Sequence, residues 1–107
     1  DAGVDVNSNL EQAILEQLNQ DRLAVGATPL NNEQKAKART QATAKALPAI
    51  YGEPESGAYV IVTDYSGQGV YTEISSALSE QLLSAETSSI GIGAIKYQDK
   101  YYTCIIF

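Results

Sequence analysis

The last eighteen residues of the chain, Ile90 to Phe107, constrain the fold more than any other stretch. Two runs rich in Ile, Tyr and Thr lie on either side of Gln98 and Asp99, which predicts a β-hairpin that turns at this polar pair. Side chains alternate between the two faces of a strand, and both faces of this hairpin are largely apolar. Because both faces need cover, the sequence predicts a sheet held between two layers of helices.

Two glycines, Gly91 and Gly93, fall on the same face of the first arm of this hairpin. Glycine weakens a strand, but it leaves room for another group to approach the backbone closely. The bare face is therefore expected to receive either a packed helix or a ligand.

A first helix is predicted from Ser8 to about Val25. Ser8 and Glu11 have the spacing of a capping box, in which each side chain accepts a hydrogen bond from an amide of the first turn. Gly26 suits the C-terminal cap. Residues 1–7 show no sustained period and are expected to form a mobile leader, so residues 8–107 make up a single domain.

The second helix is predicted to begin at Asn31 or Asn32 and to end at Leu47, before Pro48. Its apolar positions are mostly alanine, which permits close packing. It also holds four of the seven basic residues, interpreted as a solvated face, with a patch for an acidic partner as the alternative. These basic residues are Lys35, Lys37, Arg39 and Lys45.

After an irregular loop, residues 58–65 alternate as a strand does, and Thr72 is expected to cap a third helix. The predicted order is helix, helix, strand, helix, strand, strand. The fold class is therefore α+β, a three-layer α-β-α sandwich around a small antiparallel sheet.

Composition excludes several classes of partner. Thirteen acidic and seven basic residues give a net charge of −6, which repels the phosphates of nucleic acids and anionic lipids. No apolar run reaches the roughly 20 residues that span a bilayer. The chain starts at Asp1, as after processing or excision, and its composition suits an extracellular surface. Cys104 is expected to be a buried hydrophobe, the alternative being a reactive or dimer-linking thiol.

Four segments carry a resemblance that runs through most of the chain. They are LNQDRLAVGATPL (18–30), the Ala-rich second helix (33–47), LLSAETSSIGIGA (82–94) and the closing KYYTCIIF. In this order they resemble the superfamily of cysteine-rich secretory proteins, insect-venom antigen five and plant pathogenesis-related proteins, the CAP superfamily. The resemblance implies an α-β-α sandwich, a secreted protein and ligands that include lipids and sterols.

The departures from the CAP pattern bear on chemistry. Many members line a cleft with two histidines and two glutamates that hold a divalent metal, whereas this chain has no histidine. The position of the second cleft histidine falls on or near Leu78, and the segment that would carry the first is shortened or missing between Leu47 and Ala58. The G-E-N motif is also missing. The sequence therefore predicts no metal, no cofactor and no catalytic residue.

Without histidine, a Ser-His or Cys-His nucleophile is excluded, and paired carboxylates are the remaining acid-base option. Glu73 and Glu80 are seven apart on the third predicted helix, a rise of roughly 10 Å. A hydrolase that uses this pair is one alternative function. A structural or assembly module of an extracellular layer is another, since the hairpin is expected to have a free edge.

Tyrosine supplies seven of the eight aromatic residues, and it combines a flat apolar ring with a polar tip. These rings either fill half-buried sheet positions or form a binding surface. The leading prediction is a secreted, non-catalytic binding or interaction module, monomeric or weakly dimeric. Its partner is a small apolar ligand, a glycan or a protein. The candidate binding residues are Tyr51, Tyr59, Tyr65, Tyr71, Gly91 and Gly93.

Overall fold

The fold was taken from a computed structural model, which describes residues 3–107. Within these residues, four helices and four strands follow one another in the order β1, α1, α2, α3, β2, α4, β3, β4. They span β1 (Val4–Val6), α1 (Ser8–Ala24), α2 (Lys35–Ala46), α3 (Pro48–Tyr51), β2 (Tyr59–Thr63), α4 (Gln68–Leu82), β3 (Gly91–Tyr97) and β4 (Lys100–Ile106).

The strands form one antiparallel sheet in the order β1-β3-β4-β2. The predicted hairpin is its centre, and Gln98 takes a positive φ of 57° at the turn. The prediction of an α+β fold with a small antiparallel sheet is thus confirmed. The hairpin edges, expected to be free, are not: β1 pairs with β3 and β2 pairs with β4.

Separate apolar cores lie on the two faces of the sheet. On one face, Ile92 and Ile105 pack with Ile14 and Ile74 beneath α1 and α4. On the other face, α2 covers the sheet with alanines, and its cluster comprises Ala38, Ala42, Ile95, Cys104 and Ile106. Within residues 3–107, no helix is both long enough and apolar enough to cross a membrane.

Strand β1 corrects the expectation that residues 1–7 form a mobile leader. Val4 pairs with Tyr97 and Val6 with Ile95 at the edge of the sheet. A run of three alternating residues is too short to be recognised as a strand from its pattern alone, and it forms because β3 offers it an edge. Asp1 and Ala2 lie outside the described residues.

The first turn of α1 also differs from the prediction. Asn7 caps this helix, since its side-chain oxygen accepts the amide of Leu10 at 3.1 Å. Ser8 is the first helical residue rather than the cap. Glu11 is turned inward and only 3% exposed, so it does not complete a capping box.

Helix α4 begins before its predicted cap. Its first residue is Gln68, and Thr72 lies inside the helix, where its hydroxyl donates to the carbonyl of Gln68 at 3.3 Å. Leu78 breaks the helical geometry with φ −125° and ψ 21°, which places a kink within α4.

Asn32 does not cap α2, which begins at Lys35, but serves the sheet instead. Its side-chain amide donates to the carbonyl of Ile92 at 2.9 Å, and its side-chain oxygen accepts the amide of Ile92 at 2.7 Å. Next to it, the amide of Gln34 donates to the carbonyl of Ile90 at 3.1 Å. A side chain therefore takes the place of a neighbouring strand.

Farther along β3, the backbone amide and carbonyl of Ala94 also form hydrogen bonds to groups that are not part of a strand. Its amide donates to the carboxylate of Glu11 at 2.9 Å, and its carbonyl accepts the amide of Asn7 at 2.8 Å. Strand β1 continues the pairing from there. The outer edge of β3 is thus closed along its length. Asn32 and Glu11 close it with their side chains, Gln34 and Asn7 with one backbone amide each, and β1 by strand pairing.

Arg22 is a fully buried charged residue that fixes the connection between α4 and β3. Its guanidinium donates to four backbone carbonyls, those of Thr28, Leu82, Ser84 and Thr87, at 2.6 to 3.2 Å. Buried donors need such partners, and here one side chain also supplies donors to the backbone carbonyls of a loop that has no regular structure.

Candidate ligand-binding groove

A groove of about 420 Å³ lies between β1, α2 and α3. We refer to it as the β1–α2 groove. This volume is within the range of small-molecule sites. Its walls combine aliphatic, aromatic, hydroxyl and guanidinium groups, contributed by Val4, Val6, Arg39, Thr40, Thr43, Tyr51 and Ile95.

The aliphatic part of the groove follows from the alternation of β1. Val4 and Val6 share one face of the strand, while Asp5 points to the other. Val6 lies directly opposite Ile95 in the sheet. Ile95 is buried, but Val6 is 49% exposed, so the strand offers apolar surface that the fold itself leaves uncovered.

Tyr51 forms the aromatic part. It is the last residue of α3, a single turn that begins at Pro48, and the next residue, Gly52, redirects the chain with a positive φ of 80°. Tyr51 is 49% exposed. A half-exposed aromatic ring beside aliphatic side chains is the usual composition of a binding surface.

The two threonines of the groove act as acceptors. Thr40 donates its hydroxyl proton to the carbonyl of Ala36 at 3.1 Å, and Thr43 donates its own to the carbonyl of Arg39 at 2.8 Å. Each hydroxyl has one proton, so both oxygens keep only accepting capacity towards the groove.

Arg39 contributes donors. Its Nε and one terminal nitrogen bind the carboxylate of Glu11 at 2.8 and 2.7 Å, and this hydrogen bonding raises the pKa of Arg39. The other terminal nitrogen makes no hydrogen bond to any of residues 3–107, and the side chain is 29% exposed. A guanidinium has five N–H groups, so donors remain for a ligand after the ion pair has formed.

Of the tyrosines predicted to bind a ligand, only Tyr51 lines this groove. Tyr59 packs against the core beneath α1 and α4. Tyr71 belongs to that core, where its hydroxyl donates to Asp21 at 2.7 Å, and burial together with this hydrogen bond raises the pKa of Tyr71. Tyr65 is exposed and donates to Glu73. The predicted set therefore does not form one surface.

The predicted ligand role of Gly91 and Gly93 is wrong, and the helix alternative is the one found. A Cβ on Gly91 would lie 2.6 Å from the carbonyl oxygen of Gln34. A Cβ on Gly93 would lie 2.5 Å from the carbonyl carbon of Ala38 and would also meet the backbone nitrogen of Arg39. The space that side chains at these two positions would occupy is taken by the backbone at and before α2, which leaves no room for a ligand.

The two carboxylates considered for hydrolysis, Glu73 and Glu80, are both exposed on α4, on either side of the kink at Leu78. Of the basic residues on α2, Arg39 pairs with Glu11, and Lys37 lies 3.5 Å from Glu55. Within residues 3–107, no three His, Cys, Asp or Glu side chains lie together in a group that could hold a metal ion.

Sequence reasoning missed most of this groove. Its aliphatic part comes from β1, which was interpreted as a leader, and Arg39 was placed on a solvated face. The available signal was the pair of valines at Val4 and Val6, spaced for one strand face.

Comparisons with known proteins add no relative. A scan against protein-family models finds no match to the chain, and searches of curated proteins and of solved structures find none either.

Proposed function

We propose that the chain is a secreted, non-catalytic binding domain of the CAP-like kind and that the β1–α2 groove holds its ligand. The segments that resemble CAP proteins and the α-β-α arrangement of the chain support the family. The composition of the groove carries the binding function, because it joins uncovered apolar surface at Val6 and Tyr51 to hydrogen-bonding groups at its wall.

The ligand that fits this lining is a small amphipathic molecule. Its apolar body lies on Val6, Ile95 and Tyr51, and its polar end accepts from the free nitrogen of Arg39. A carbonyl-bearing lipid has this chemistry, in line with the ligands that the resemblance implies. A glycan would need many polar partners, and the groove supplies few.

Absence of enzymatic activity is part of the proposal. The chain has no histidine to act as a general base, and Glu73 and Glu80 are solvent-exposed carboxylates on a kinked helix. A carboxylate that acts as a general acid near neutral pH generally needs an environment that raises its pKa.

A direct test titrates the protein with 1-anilinonaphthalene-8-sulfonate, a flat apolar anion whose fluorescence rises on binding. Tyr51→Ala should weaken binding about tenfold, since the loss of a stacked ring costs about 1.4 kcal/mol. The matched control is Tyr65→Ala, which removes a tyrosine of similar exposure (41% against 49%) outside the groove. Equal affinities of the two variants would reject the groove as the site.

A further inference from the structure

Strand β2 forms one end of the sheet, beyond β4. Its five residues pair with β4 in one continuous register, from Tyr59 opposite Ile105 to Thr63 opposite Tyr101. Within residues 3–107, no backbone or side-chain group pairs with the outer side of β2. Every strand at the end of a sheet presents unpaired amide and carbonyl groups there, ready for another chain.

At the opposite end of the sheet, β1 is only three residues long and includes the charged Asp5, both of which protect an edge. There β3 is closed by Asn32, Glu11 and Asn7 and then by β1. On the β2 side, the usual means of protecting an edge are missing. The strand reads YVIVT, with neither charge nor proline, and its register contains no bulge. Val62 is 43% exposed. The open edge is therefore regular, uncharged and rich in β-branched residues.

The stretch of sequence that contains β2 is acidic, although the register of β2 with β4 brings Lys100 next to Asp64. The fifty residues 46–95 contain six acidic side chains and no Lys or Arg. Exposed Glu53 and Glu55 precede β2, and exposed Asp64 follows it. Glu55 lies near Lys37, whereas Glu53 and Asp64 form no ion pair within residues 3–107. An uncharged strand between two acidic ends is complementary to an extended segment that carries positive charge.

We propose that β2 is a docking edge for an extended, basic segment of a partner polypeptide, which adds a strand beside it. Main-chain hydrogen bonds to β2 would supply affinity, and lysine or arginine side chains near Glu53 and Asp64 would supply selectivity. This surface is distinct from the β1–α2 groove, so the inference does not depend on the proposed function.

A second copy of this chain fits the edge less well. Antiparallel pairing of β2 with itself about Ile61 would set Asp64 of one copy beside the start of β2 in the other, close to the acidic loop with Glu53. Like charges at both ends would repel, and each copy carries a net charge of −6.

The probe for the test is a short blocked peptide in which lysine alternates with valine. Peptide binding should slow amide hydrogen exchange at the outward-facing amides of β2 and leave exchange at β3 unchanged. The same peptide with alternate amides N-methylated should lose binding, because it cannot complete the ladder. Unchanged exchange at β2 in the presence of saturating peptide would overturn the proposal.

Charge variants separate edge docking from general attraction to an acidic protein. Glu53→Lys combined with Asp64→Lys should weaken binding of the lysine peptide about tenfold, since each reversal removes an attraction and adds a repulsion. Asp64→Lys alone, which should weaken binding less than the double variant, is matched by Glu33→Lys, a single exposed reversal next to Asn32 at the opposite edge. Equal weakening by the control would overturn the proposal.

Sedimentation of the protein without peptide tests whether a second copy of the chain binds the edge instead. A monomer at all concentrations is the expected result. Concentration-dependent dimerisation that slows exchange at β2 would show that a second copy takes the edge, and it would overturn the assignment to a basic partner. Tyr51→Ala should leave peptide binding unchanged, so failure of the groove and failure of the edge are distinguishable.

Discussion

Glu11 and Arg39 form a bidentate ion pair across the edge of strand β3, although their helices cover opposite faces of the sheet. One carboxylate oxygen of Glu11 also accepts the amide of Ala94 in the strand itself at 2.9 Å. A single 3% exposed carboxylate thus joins both helical layers to the sheet between them.

Removal of Arg39 from this arrangement should be costly. Arg39→Met leaves the buried carboxylate of Glu11 with the Ala94 amide as its only partner among residues 3–107, and we expect a loss of about 3 kcal/mol in the free energy of unfolding. Urea denaturation measures it. The matched control, Lys37→Met, removes an exposed ion pair 3.5 Å long and should cost less than about 1 kcal/mol. Similar losses for both variants would contradict this account.

The glycine face of β3 gives a second prediction. Gly93→Ala should destabilise the protein by about 3 kcal/mol, because the new methyl group would meet the backbone of α2, which cannot move without shifting the helix. Thermal and urea unfolding measure the loss. Gly57→Ala is the control, since a Cβ there has nothing within 4 Å. A Gly93→Ala variant as stable as the control would show that α2 does not lie against this face.

Cys104 predicts a pH dependence of stability. Burial raises the pKa of this thiol to about 12, while an unfolded thiol titrates near about 8.5. Below about pH 8.5 the thiol is protonated in both states. Above it, only the unfolded chain releases the proton, so the free energy of unfolding falls as the pH rises towards 12.

The window that isolates Cys104 runs from about pH 8 to about pH 9.5, around the ordinary pKa of a thiol and below that of a phenol, about 10. Urea unfolding of the wild-type protein should show a decline there that Cys104→Ala lacks. The variant is less stable throughout, because it leaves a small cavity, so the slopes rather than the absolute values are compared. Parallel slopes would mean that the thiol is not buried.

Asn32 supplies a fourth prediction. Asn32→Asp keeps the acceptor for the amide of Ile92 but replaces the donor to its carbonyl with a second acceptor, and we expect a loss of about 2 kcal/mol. Native-state hydrogen exchange at the Ile92 amide should quicken accordingly. Asn31→Asp makes the same chemical change at the exposed neighbouring residue and should have little effect. An equal response of the two variants would rule out the role of Asn32 at the sheet edge.

The elements that were predictable from the sequence are those whose side-chain pattern repeats over many residues. The alternation of Ile90–Phe107 and the apolar stripes of the helices gave the central hairpin and its two layers of cover, and both are found. The first turn of α1 was not predictable. Ser8 and Glu11 have capping-box spacing, but a partly buried ion pair with a residue 28 positions away outweighs a local hydrogen bond.

The candidate groove was less predictable than the fold, because it depends on which distant segments meet. Tyr51 was identified from its loop position and its chemistry, but Val6 and Arg39 reach the groove through pairing with β3 and Glu11. At Gly91 and Gly93 the sequence predicted a contact but not the group that makes it. Their alternation indicated a close approach to the backbone, but only the structure shows that a helix, not a ligand, makes it.

The side chain of Asn32 also sets how many neighbours the sheet can take. With the first part of β3 closed by Asn32 and its companions, another strand can add only at the two end strands, β1 and β2. If Asn32 released β3, the part of β3 that precedes its pairing with β1 would become a third place for strand addition. One amide side chain thus keeps part of a central strand from pairing with other chains.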